Sequence, residues 1–85
     1  MIEDLEARLL AAIPDSDSFS QLQERGLTAE SFSQYQPMYY YIEAIVREHH
    51  QVPRLRDLRE TFQLPDYVKR DKKEFNCMYI IIITR

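Results

Sequence analysis

The chain has 85 residues, a net charge of −3, one glycine and four prolines, which allows one domain at most. A single glycine excludes the Gly-rich loops that cradle nucleotide phosphates and argues against an all-β chain, which needs more turn residues. A chain this short buries only about 60–65% of its unfolded surface, so its core is thin.

The elements predicted in chain order are helical. "MIEDLEARLLAAIP" reads as a first helix, with Ile2, Leu5, Leu9 and Ile13 at helical spacing and Leu10 beside them. Glu3, Asp4 and Glu6 crowd its start, where the helix dipole favours negative charge, and Pro14 stops it. "DSDSFSQLQERG" predicts a short second helix capped by Asp17 or Ser18, with Ser18 and Gln21 at capping-box spacing. Gly26 falls where a left-handed helix end is wanted. "LTAESFSQY" predicts a further turn or two, capped by Thr28.

Pro37 opens a long helix that runs to about His50, and Val52-Pro53 ends it. On a wheel of 100° per residue, Met38, Tyr41, Ile42, Ile45 and His49 form one face. That places Tyr41 in the core, Tyr39 at the boundary beside Val46, and Tyr40 in solvent. "RLRDLRETF" predicts a helix anchored by Leu55, Leu58 and Phe62, and "QLPDYVKRDKKEF" a restart after Pro65 anchored by Leu64, Tyr67 and Val68. Four consecutive isoleucines in "NCMYIIIITR" then favour a strand. The expected fold is all-α: a small bundle of four to six short helices over residues 1–69, followed by an irregular or extended tail, 70–85. The expected core is Leu5, Leu9, Phe19, Leu22, Phe32, Tyr41, Ile42, Ile45, Leu55, Leu58 and Phe62.

The chemistry-bearing residues point away from catalysis. Glu48, His49 and His50 are adjacent, so their side chains diverge by about 100° each, and neither Cys-x-x-Cys nor His-Glu-x-x-His spacing is present. Cys77 lies in an apolar run that makes a thiol inert, and as the sole cysteine it fits a reducing compartment. The serines cluster where capping is their common use. No metal, cofactor or catalytic residue is expected. Nor does a signal peptide or membrane span stand out, which suits a cytoplasmic protein.

Charge is uneven. Residues 1–50 carry three basic and nine acidic side chains, net −6, whereas residues 51–85 carry eight basic and five acidic, net +3. The acidic half would repel a phosphate backbone. In the basic half, Arg54, Arg56, Arg59, Lys69, Arg70, Lys72 and Lys73 are the candidate nucleic-acid contacts, diluted by Asp57 and Glu60. Large, rigid aromatic side chains anchor protein interfaces, which makes Tyr39, Tyr40 and Val46 the candidate interface.

The order of these segments resembles the N-terminal domain of DnaB-type replicative helicases. The resemblance rests on "LEARLLAAI" (Leu5 to Ile13), "LTAESF" (Leu27 to Phe32), "MYYYIEAI" (Met38 to Ile45) and "HQVPRLRDL" with Pro53 and Leu58, and it covers residues 2 to 67. Met38-Tyr39 stands where the family usually has His-Arg, and the link before Pro53 lacks the family's glycine. The resemblance implies a helical, non-catalytic domain. Such a domain helps build the collar of a helicase ring and docks primase or a loader. A full-length parent would be an ATP-dependent DNA helicase. The implied partners are a second copy, primase or a loader, with weak or no direct nucleic-acid contact. The competing reading is a small helical DNA-binding protein that uses the basic second half.

Overall fold

The first helix, α1 (Leu5–Ala12), puts leucines and alanines at consecutive positions, and the structure encloses them. The computed structural model describes residues 5–32 and 34–84. Ile2, Glu3 and Asp4, expected in the first turn of this helix, lie outside them. Leu9, Leu10, Ala11, Ala12 and Ile13 are all completely buried. Pro14 follows, as expected of a helix stop.

The second helix, α2 (Ser16–Glu24), begins two or three residues earlier than predicted, with Asp15 in the extended conformation of a cap. The Ser18 N–H donates to Asp15 Oδ1 at 2.8 Å, so the cap is Asp15 and not Asp17 or Ser18. This hydrogen bond holds the Asp15 carboxyl below its usual range. Gly26 ends the helix at φ +83°, and the Leu27 N–H reaches back to the Leu22 carbonyl at 2.9 Å. A 3-10 turn (Ala29–Phe32) follows. Its start is tied by the Ser31 hydroxyl, which accepts from the Thr28 N–H and donates to the Gly26 carbonyl.

The long helix, α3 (Gln36–His49), carries Pro37 in its first turn and ends at His50 in the left-handed conformation. Its buried face is turned relative to the predicted wheel. Met38, Tyr39 and Ile42 are buried, while Tyr41 and Ile45 are half-buried and His49 is exposed. Tyr39 is the core tyrosine at 2% exposure. Its ring lies 5.2 Å from Phe19 and 5.7 Å from Phe32, and its hydroxyl donates to the Leu27 carbonyl at 3.3 Å. Tyr41 packs edge-on against Phe62, 5.5 Å away on the opposite flank. Two neighbours therefore share α3, and the wheel, drawn for one core, averaged over them.

The fourth helix, α4 (Leu55–Phe62), buries Leu58 and half-buries Leu55 and Phe62. It ends at Gln63, again left-handed, with the Leu64 N–H donating to the Arg59 carbonyl at 3.0 Å. The helix expected straight after Pro65 is instead a turn, with Tyr67 in solvent and Val68 buried. Asp71 starts the last helix, α5 (Lys72–Thr84), by accepting from the Lys73 N–H on its side chain and the Phe75 N–H on its carbonyl.

Residues 72–84 are therefore helical, where the isoleucine run predicted a strand. β-propensity is a preference for a half-buried pleated surface and yields to packing. Phe75, Met78 and Ile82 recur at i, i+3 and i+7 and bury against the same core as the other helices, with α1 as the main neighbour of α5. The Arg8 guanidinium fixes that pairing, donating from Nε (3.1 Å) and Nη2 (2.7 Å) to Glu74 Oε2. Among the described residues five α-helices and one 3-10 turn are present and no strand, so the molecule is all-α.

Three expectations follow. Tyr39→Ala should lower unfolding stability by about 3–5 kcal/mol by emptying the centre of the aromatic cluster, whereas Ile45→Ala, half-exposed, should cost about 1 kcal/mol or less; urea denaturation of both variants ranks them. Ending the chain at Arg70 uncovers α1, so the thermal transition should lose its cooperativity in calorimetry. Asp15→Ala should cost about 1 kcal/mol. The native pKa of Asp15 is depressed, so its contribution is present above the unfolded carboxylate pKa and fades as pH falls through the native value. The stability difference between parent and variant should therefore shrink in acid.

Candidate protein–protein interface

Helices α2 and α3 do not close fully against each other. The furrow between them is bridged midway by Gln23 Nε2, which donates to Glu43 Oε2 at 3.1 Å. On one side of this bridge is an open groove of about 370 Å³ with walls that include Thr28, Glu30, Tyr39 and Tyr40. On the other is a groove of about 300 Å³ lined by Phe19, Val46, Arg47 and His50. Both share Gln23 and Glu43, whose hydrogen bond divides the furrow, called the trough below, into these two grooves.

The three consecutive tyrosines divide their roles here. Tyr40 is 55% exposed and stands edge-on to Tyr39, ring centres 6.2 Å apart. Tyr39 lines the trough only from beneath; buried, it cannot offer its faces to a partner. Burial raises its phenol pKa above the usual value, with Glu43 and Tyr40 adding to the effect. Val46 is half-buried and packed on the core at the far end of the trough. Of the predicted interface residues, the structure thus places Tyr40 at the surface, Val46 at its edge and Tyr39 in the core. Tyr39 and Tyr40 border the first groove and Val46 the second.

A second apolar surface was not anticipated as a helix face. On α5, Ile80, Ile81 and Ile83 are 57%, 41% and 43% exposed, and Cys77 is exposed beside them. The Thr84 hydroxyl on the same face donates to the carbonyls of Ile80 and Ile81, so its polarity is spent within the helix. The isoleucine run itself was the available signal, since an all-apolar segment read at helical period leaves residues on both faces.

The basic candidates are scattered in role. Arg54, Arg56, Lys69, Lys72 and Lys73 are exposed. Arg59 is folded back on the chain: its Nη2 donates to the carbonyls of Val68 (2.6 Å) and Asp66 (3.2 Å), stapling the turn after α4. Arg70 is partly buried, with Nε and Nη2 shielded and unpartnered, and burial lowers its pKa. Arg59 and Arg70 are therefore poorly placed to meet phosphates. His49 is exposed and contacts Glu48 at 3.2 Å on its own turn. Among the described residues no three His, Cys, Asp or Glu side chains gather as a metal site would, and no helix is long and apolar enough to cross a membrane.

Comparison with protein-family models, with curated proteins and with solved structures finds no match.

Proposed function

We propose that this domain acts by protein–protein contact and performs no catalysis. It serves as the assembly and docking unit of a cytoplasmic DnaB-type replicative helicase, contributing to the collar and receiving primase or a loader. The observation that carries this reading is the apolar surface left uncovered on α5, where Ile80, Ile81 and Ile83 face solvent although the inner face of that helix is already packed. Ile80 and Ile83, three positions apart, lie side by side on the outer face, and exposed apolar surface of this kind on a small domain marks an interaction site. Tyr40, standing over the trough between α2 and α3, adds a rigid aromatic anchor of the kind enriched at interfaces.

The order of the helices supports the helicase assignment. A helix followed by a capped short helix, a 3-10 turn, a proline-started long helix and a further helix after Pro53 is the sequence of parts that the resemblance implies. The competing DNA-binding reading loses support from Arg59, whose guanidinium holds a turn.

Titration with single- and double-stranded DNA at two salt concentrations tests the assignment. The interaction reading expects no measurable affinity at physiological salt. Affinity that falls steeply as salt rises, the mark of several phosphate contacts, would replace it with DNA binding through the basic half.

A further inference from the structure

We infer that the groove beside Tyr40 receives an arginine side chain presented by a partner protein, its guanidinium lying on the Tyr40 ring and its charge facing Glu43 and Glu30. The inference rests on reading the domain as a protein–protein interaction unit and names the chemistry of the partner. The groove holds about 370 Å³. That is near the lower end of ligand clefts, about 300–1,000 Å³, and suits one long side chain. Among the described residues its lining has two carboxylates, Glu30 and Glu43, and no basic side chain.

The parts of a cation site are held in place. Tyr40 and Glu43 are three positions apart on α3 and so neighbours on one face. Tyr40 is exposed, yet its ring rests edge-on against Tyr39, so little side-chain freedom is lost when a ligand covers it. The negative face of a tyrosine ring attracts a cation placed over it. Glu43 is only 25% exposed, and both of its contacts, from Gln23 Nε2 at 3.1 Å and Arg47 Nη2 at 3.5 Å, fall on Oε2. Among the described residues Oε1 is left for an incoming donor. Glu30 sits on the 3-10 turn whose start the Ser31 hydroxyl ties down.

Arginine fits this pairing better than lysine, because a flat guanidinium stacks on a ring and still offers donors in its plane to a carboxylate. The groove is open, so a free cation in it would stay hydrated and its attraction screened. A partner surface that delivers the side chain also covers the groove, and excluding water strengthens the contact. Every lining residue belongs to residues 1–50, net −6, a field that draws a basic segment and repels an acidic one. Arg47 is a built-in competitor. It is 77% exposed, and so loose an ion pair is weak, so a guanidinium seated on Tyr40 displaces it from Glu43.

Nuclear magnetic resonance titration of the whole chain tests this with a blocked tripeptide, acetyl-Gly-Arg-Gly-amide, and its lysine and citrulline counterparts. Citrulline keeps the shape of arginine without the charge. The arginine peptide should bind with a Kd on the order of millimolar and shift the amide signals of Glu30, Tyr40 and Glu43. The lysine peptide should bind more weakly and the citrulline peptide not at all. Tyr40→Ala should weaken the arginine peptide about two- to fivefold. Glu43→Gln, which keeps an acceptor for Gln23, should weaken it by about the same factor. Arg47→Gln should tighten it, a gain that a merely structural role for Arg47 would not produce. Equal binding of the citrulline peptide, shifts confined to another surface, or an affinity unchanged in Tyr40→Ala would overturn the inference. Equal binding of the lysine peptide would overturn the choice of arginine. Absence of binding would also overturn it, while leaving the interaction reading to its own DNA titration, which does not involve this groove.

Discussion

Leu9 to Ala12 occupy consecutive positions at the end of α1, so their side chains point around the circumference of the helix, yet neither they nor Ile13 just after them reach water. A helix enclosed on all sides needs neighbours on all sides, and a chain of 85 residues has few to spare. This enclosure drafts α5 into the fold. Burying Phe75, Met78 and Ile82 contributes about 1.5–3 kcal/mol each, and the Arg8–Glu74 pair sets the register in which they meet α1. The segment with the strongest β-character in the chain is held as a helix because a helix presents those three residues along one line.

The same economy governs α3. It is wedged between the aromatic pair Phe19 and Phe32 on one flank and Phe62 on the other. Tyr39 and Tyr41, two positions apart and so about 200° apart around the axis, serve those two flanks, and Tyr40 between them is left facing outward. Tyr39 takes the deeper position because its hydroxyl finds the Leu27 carbonyl at the rim of the cluster, and a buried phenol needs such a partner. The trough exists because α2 and α3 are held together mainly by these rings below and the Gln23–Glu43 hydrogen bond above.

Charge in this molecule is used in two ways. Arg8 and Arg59 are consumed internally, one pairing two helices and the other holding a turn by its carbonyls. Lys72, Lys73, Glu30 and the exposed arginines are left at the surface. What remains accessible is an apolar helix face with a basic start and a groove bordered by Glu30 and Tyr40, a pattern suited to recognition between proteins.

By itself the sequence determined the all-helical class, the stop at Pro14, the left-handed end at Gly26, the proline start of α3, and the exposure of Tyr40. Each of these follows from backbone sterics or local periodicity, which a few neighbouring residues decide. The tertiary structure alone decided which tyrosine enters the core, that Asp15 caps α2, that Arg59 is spent on a turn, and that residues 72–84 form a helix. Those outcomes depend on partners distant in the chain: Tyr39 on Phe19 and Leu27, Arg59 on Val68, Glu74 on Arg8. Only Asp15 is a local case, its carboxylate reaching the Ser18 N–H three residues on. Local preference for a strand in the isoleucine run amounts to at most about 1 kcal/mol per residue on the propensity scale, and the burial of three large side chains against the core, at about 1.5–3 kcal/mol each, outweighs it.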